Sequence, residues 1–152
     1  MIVRPGQAGA VMVADCVPLL LATPSGSMVA AVHVGRQGLS AGVVGATLDV
    51  LAEHDAAVED LLAALGPAIC GSCYEVPADL RAEVAERVPA AHAETSWGTA
   101  ALDIPAGVAS QLTAAGVERI AAPPACTFED ERFYSYRRQG RTGRFAGIVQ
   151  PV

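Results

Sequence analysis

The chain has no excess of positive charge. Its 152 residues carry 10 Lys+Arg against 16 Asp+Glu, a net charge of −6, whereas nucleic-acid binders need a basic face that displaces counterions from phosphates. Nucleic acid is therefore excluded as an expected partner. Long apolar runs are missing as well: Val17 to Ala22 and Met28 to Val34 fall far short of the ~18–20 residues that span a bilayer. No membrane helix is predicted. The start, Met1-Ile-Val-Arg-Pro-Gly6, lacks a charged segment followed by a long apolar core and a small-residue cleavage site, which predicts a cytoplasmic protein. Repeats, linkers and low-complexity tracts are absent, so one domain over 1–152 is expected.

What is present suffices for a core. The composition is 52% hydrophobic and 17% charged, that of a packed α/β (α+β) globule, and a chain of this size buries roughly 68–70% of the surface its unfolded form exposes. Val11–Val13, Val17–Ala22 and Met28–Val34 read as strands, the last two joined as a hairpin through Thr23-Pro-Ser-Gly-Ser27. Leu39, Val43, Val44, Thr47, Leu48 and Leu51 recur at helical spacing, which predicts one amphipathic helix over 38–54 capped by Ser40. Residues 58–65 fit a strand or a helix. A helix starting at Pro77 and stopped by Pro89 is expected, then a loop over 91–101, then a helix over 103–115 with Gly116 as its C-terminal cap. Val117–Ala121 reads as a short strand, and Phe133–Tyr136 with Phe145–Val149 as a closing hairpin. The mixture predicts a mixed sheet covered by helices.

Two polar atoms inside the early apolar runs stand out. Cys16, in Ala14-Asp-Cys-Val-Pro18, and His33, in Val32-His-Val-Gly35, lie on neighbouring predicted strands that can bring a sulfur and an imidazole together. That combination serves a soft Zn²⁺ or Cu site or a Cys-His nucleophile. Pro18 biases its neighbour to extended geometry and donates no ladder hydrogen bond, which predicts a bulge or strand end beside Cys16. The four cysteines, at 16, 70, 73 and 126, are expected to be reduced thiols because a chain this apolar needs no disulfide staple. Cys70-Gly-Ser-Cys73 has the spacing of a dithiol pair or half a zinc knuckle, but a second Cys-x-x-Cys is missing, so it reads equally as packing of a glycine-rich turn. Cys73, beside Tyr74 and Glu75, is expected to face the same pocket as Cys16. Arg137, Arg138, Arg141 and Arg144 place four of the ten basic residues within eight positions of an acidic chain. They fit a solvated hairpin tip or, since guanidinium pairs bidentately with phosphate, an anion site.

Four blocks in order, Ala14-Asp-Cys-Val-Pro18, His33-Val-Gly-Arg-Gln-Gly38, Gly66-Pro-Ala-Ile69 with Cys73-Tyr-Glu-Val76, and Ser135-Tyr-Arg-Arg138 with Thr142-Gly-Arg144, resemble the YfiH family. It is also called the laccase-domain or multicopper polyphenol oxidase family, with members described as purine nucleoside phosphorylases and peptidoglycan editing factors. The resemblance implies a sandwich-like pair of mixed sheets flanked by helices. It also implies a Zn²⁺ held by one cysteine and two histidines, and phosphorolysis of purine nucleosides with adenosine deamination as a companion activity. Two of those ligands fall on Cys16 and His33. The first family histidine lies in an N-terminal portion that this sequence lacks, and His54 and His92 match no family ligand. The family's His-Ala-Gly-Trp-Arg-Gly appears as His33-Val-Gly-Arg-Gln-Gly38, so the Arg of that motif is Gln37 here and the Trp is Arg36.

The leading expectation is thus a zinc-dependent purine nucleoside phosphorylase, with copper as the alternative metal. Cys16 and His33 act as ligands and catalytic residues, and Arg36, Cys73, Ser135, Arg137, Arg138 and Arg144 line the site for nucleoside and phosphate. With two of three ligands in the chain, weak zinc affinity and weak or no turnover are expected. A rival reading makes Cys16 the nucleophile of a metal-free hydrolase or deamidase with His33 as base. A third treats the chain as an inactive fragment, a homo-oligomer, or half of a split protein whose missing segment comes from another chain. Phenol oxidation ranks last, because three histidines do not supply the several His-rich motifs of multicopper chemistry.

Overall fold

The computed structural model describes residues 1–3 and 5–152. At its centre, Val17–Ala22 (β3) and Val29–Val34 (β4) form the hairpin read from the sequence, with Val17 opposite Val34 and Ala22 opposite Val29. Both strands are nearly continuous runs of Val, Leu and Ala, the composition of strands covered on both faces. Ile2–Val3 (β1) pairs with the outer edge of β4. Leu62–Leu65 (β5) lies antiparallel to β3, and Arg119–Ala121 (β8) runs parallel to β5. The sheet is therefore mixed, in the order β1-β4-β3-β5-β8.

Alternation along the strands sorts the sheet into two faces. Val17, Leu19, Leu21, Ala30, Val32 and Val34 join one buried cluster with Val44, Leu48 and Leu51 of Val43–Glu53 (α2) and Val108 and Leu112 of Ile104–Ala114 (α4). The other face carries a ribbon of Gly9–Val13 (β2) and Phe145–Val149 (β9), paired from Gly9 opposite Val149 to Val13 opposite Phe145. A Cβ on Gly147 would stand 2.9 Å from Pro18 Cβ and 3.5 Å from Leu20 Cδ2, and one on Gly9 would stand 3.5 Å from Ala31 Cβ. The ribbon thus lies directly on the Pro18, Leu20 and Ala31 face. Helices, mixed sheet and ribbon make the sandwich-like α/β arrangement expected.

Several elements differ from the expectation. The single helix over 38–54 is two, Arg36–Ser40 (α1) and α2, broken where Gly42 takes φ +81°. Ser40 ends α1 rather than capping α2. The 91–101 loop is a hairpin of His92–Glu94 (β6) and Ala100–Leu102 (β7), whose three-residue strands are too short to show alternation. Residues 58–65 resolve into a 3₁₀ turn over Val58–Asp60 followed by β5. The closing hairpin is absent: β9 pairs with β2, and Ser135 Oγ accepts from the Arg138 N–H at 3.1 Å to start the short helix Tyr136–Gln139 (α5). There a capping hydroxyl outweighs the strand propensity of Phe133, Tyr134 and Tyr136. Ala78–Arg87 (α3) and α4 form as read, α4 with Asp103 Oδ1 accepting from the Ala106 N–H at 2.8 Å and Gly116 at φ +93°. Among the described residues no helix is long and apolar enough to cross a membrane.

Candidate functional site

β2 ends at Val13 and β3 begins at Val17, and the chain turns sharply between them. Asp15 sits at φ +83°, a left-handed conformation that Asp and Asn tolerate better than other side-chain-bearing residues. Its buried carboxylate holds the turn, accepting from Thr127 Oγ1 through Oδ1 and from the Arg137 backbone N–H through Oδ2, each at 2.7 Å. The next residue, Cys16, is delivered half-buried beside the sheet. His33 stands opposite Pro18 in the β3–β4 register, on the ribbon face, and is exposed although its strand neighbours are buried. A Cβ on Gly35 would lie 3.0 Å from Cys16 Sγ and 3.9 Å from His33 Nε2. Sulfur and imidazole therefore flank one shared point. Gly35 has φ −96° and ψ 177°, extended backbone open to any residue, so its contribution is space.

A cavity of about 400 Å³ opens over that point, lined by Cys16, His33, Arg36, Tyr74, Tyr136, Arg137 and Arg144 above Ile69 and Ile104. The Arg137 guanidinium lies 5.0 Å from the centroid of the Tyr74 ring and donates from Nη1 to the Glu75 carbonyl at 2.7 Å. Arg144 Nη1 donates to the carbonyls of Thr142 and Gly143 at 2.9 and 2.8 Å. Three guanidinium-bearing residues thus converge on one concavity of an acidic protein, which concentrates positive potential where an anion would enter. Burial pushes the Cys16 thiol up, the Asp15 carboxylate pushes it further, and Arg144 pulls it back. A free nucleophilic cysteine requires the opposite tuning.

Residues 1–151 match the multi-copper polyphenol oxidoreductase laccase family. The chain belongs to that family. It is 54% identical over 144 residues to a Streptomyces coelicolor protein named purine nucleoside phosphorylase, covering 95% of this chain and 60% of that one. It is 42% identical over 148 residues to the purine nucleoside phosphorylase YfiH of Shigella flexneri, covering 95% of this chain and 60% of the relative. Among solved structures, YlmD of Geobacillus stearothermophilus superposes with a TM-score of 0.86 at 32% identity, covering 97% of this chain and 58% of that one. The Neisseria meningitidis protein NMB0706 gives 0.83 at 33% identity, covering 95% and 60%. The chain spans about 60% of the length of the relatives it matches.

Of the predicted site residues, Cys16, His33, Arg36, Arg137 and Arg144 line this one cavity. Three other predicted site residues lie elsewhere. Ser135 is fully buried and caps α5. Arg138 spans the carbonyls of Thr127, Phe128 and Phe133, each at 2.7 Å, so its guanidinium is taken up in holding the loop before α5. Cys73 is 3% exposed and lies outside the cavity lining. It meets Cys70, Cys126 and Glu129, whose sulfur and carboxylate atoms all lie within 4.8 Å of one another, a group that could hold a metal ion. Sequence reasoning missed that convergence because the Cys70–Cys73 spacing is local whereas Cys126 arrives by a long-range bridge between Ala68 and Cys126. It also gave Asp15 no role. The signal available was an Asp between two apolar runs where the chain must reverse.

Proposed function

We propose that the chain carries the substrate-binding and part of the metal-binding surface of a purine nucleoside phosphorylase, with the cavity between Cys16 and His33 as its active site. The observation that carries this reading is the flanking of one point by Cys16 Sγ and His33 Nε2, kept free by Gly35. A soft sulfur and a borderline nitrogen suit Zn²⁺, and copper less well, given how few histidines the chain has. Cys16 and His33 would hold the zinc, which supplies Lewis-acid polarisation of a bound oxygen. The remaining work falls to the protein's own groups. Arg36, Arg137 and Arg144 bind and orient phosphate, and stacking on Tyr74 keeps the Arg137 guanidinium in place. Ile69, Ile104 and the rings of Tyr74 and Tyr136 offer apolar surface to the flat base. Phosphate oxygen then forms a bond to the anomeric carbon of the ribose as the carbon–nitrogen bond to the base breaks, and the base nitrogen takes the proton that the hydrogen phosphate gives up. Asp15, through the Arg137 N–H, fixes the backbone that carries the phosphate-binding arginine.

The metal-free Cys-His hydrolase is disfavoured by the direction in which burial and Asp15 shift the Cys16 thiol. Zinc-loaded chain incubated with adenosine or inosine and inorganic phosphate is expected to release free base and ribose 1-phosphate slowly, in a phosphate-dependent manner, and Cys16→Ala is expected to abolish the release. Base release that ignores phosphate, or that persists in Cys16→Ala, would overturn the reading. So would no release above the Cys16→Ala background.

A further inference from the structure

We propose that Cys70, Cys73, Cys126 and Glu129 form a structural zinc site, separate from the Cys16–His33 cavity, that clamps the 70–74 turn to the 126–130 turn. Three thiols and a carboxylate supply four donors, the number a closed tetrahedral zinc site uses. In an occupied site, bonds of about 2.3 Å to sulfur and 2.0–2.2 Å to oxygen place the donors roughly 3.5–3.8 Å apart. The present spread, within 4.8 Å for every pair, needs a contraction of side chains and no rebuilding of backbone. The backbone frame already exists: the Ala68 carbonyl accepts from the Thr127 N–H at 3.0 Å, and the N–H groups of Cys73 and Tyr74 close a turn onto the Cys70 carbonyl.

The surroundings match those of a metal-bound thiolate. Cys126 Sγ accepts from the Cys70 backbone N–H at 3.3 Å. Donors aimed at a ligating atom are what orients and tunes it. A cleft of about 260 Å³ lined in part by Cys70 and Cys126 provides the entry path.

The clamp reaches the active cavity through two links. Tyr74, next to Cys73, carries the Arg137 guanidinium, and Thr127, next to Cys126, holds the Asp15 carboxylate. The four ligands are thus positioning residues for the cavity.

The test uses the full chain with Cys16→Ala and His33→Ala together, which leaves only the three clamp thiols, kept reduced and titrated with Cd²⁺. The expected result is thiolate-to-Cd²⁺ charge-transfer absorption saturating at one equivalent with the intensity of three sulfurs. Zn²⁺ should protect all three thiols from alkylation and raise Tm. Adding Cys126→Ser should weaken Cd²⁺ binding by about 100-fold or more, given that disturbing even a ligand's hydrogen-bond partner costs 10–100-fold. Absence of the charge-transfer band in the double variant would overturn the proposal regardless of how the Cys126 variant folds. So would an intensity of one sulfur, or thiols that form a disulfide in air even in the presence of Zn²⁺.

Discussion

Cys16 stands half-buried at the lip of an open cavity with one imidazole and three arginines nearby, whereas Cys73 is 3% exposed among two more thiols and a carboxylate. On the roles proposed for them the same element serves two purposes, and the number and accessibility of neighbouring donors decide which. A centre with few protein donors and an open side leaves room for a reacting molecule, while a centre with four donors closes on the metal and contributes only rigidity. The arginines follow the same division. Arg137 and Arg144 line the cavity, but Arg138, one residue from Arg137, is bound to three carbonyls and belongs to the scaffold.

The largest effect that sharpens this division is expected from Cys16→Ala or His33→Ala. Either should lower phosphate-dependent base release by more than ~100-fold, beyond the 10–100-fold typical of losing a ligand's supporting partner, while thermal stability stays nearly unchanged because both positions are at least partly exposed. Cys126→Ser should do the reverse, lowering Tm by several degrees in zinc while reducing turnover only through looser positioning. Equal loss of turnover and stability in both sets would break the comparison.

Asp15→Asn should come next, with a loss of about 10–100-fold in turnover as the carboxylate that holds the Arg137 backbone is removed. It carries a second readout that a merely structural role would not produce. In the parent protein burial first and the Asp15 charge second raise the Cys16 pKa, so the thiol stays protonated to higher pH than a free cysteine. Removing the charge leaves burial opposed by Arg144, so the pKa falls and more thiolate exists at any given pH below it. Alkylation of Cys16 by iodoacetamide in metal-free protein should therefore rise at lower pH in Asp15→Asn than in the parent. An unshifted or upward-shifted profile would remove Asp15 from the site's electrostatics.

Gly35→Ala should cost about tenfold in metal affinity at the cavity with little change in stability. The backbone there accepts alanine, and what the new methyl meets is Cys16 Sγ at 3.0 Å and His33 Nε2 at 3.9 Å. Tightness unchanged in a Co²⁺ or Cd²⁺ titration would mean that the two donors do not share the point between them.

The centre of this fold was open to reading because its signals are local. The β3–β4 hairpin shows as two apolar runs around a turn of Thr, Pro, Ser and Gly, and α4 shows its Asp103 cap and Gly116 stop in the sequence itself. Cys16 and His33 emerged for the same reason, being polar atoms inside runs that had to become neighbouring strands. What escaped depends on contacts across the chain. The partner of β9 is β2, 130 or more positions away, and nothing local in Phe145–Val149 distinguishes that from pairing with the preceding segment. Cys70 and Cys73 look ambiguous until the Ala68–Cys126 bridge brings a third sulfur, and Arg138 looks like Arg137 until Ser135 caps α5 and turns the two arginines to different tasks.

The smallest expected effect tests that last separation. Arg144→Ala should weaken phosphate several-fold in KM, since a partly solvated charge contributes about 1 kcal/mol or less, and should leave Tm in place because its hydrogen bonds reach only the adjacent Thr142 and Gly143 carbonyls. Arg138→Ala should leave the KM for phosphate within twofold and lower stability by about 2 kcal/mol, the scale of losing charge-assisted bonds to carbonyls. Those carbonyls belong to the loop joining Thr127 to α5, so the loss acts through the same segment that holds Asp15. A KM effect for phosphate in Arg138→Ala larger than that in Arg144→Ala would return Arg138 to the anion site and erase the boundary between the two sets of arginines.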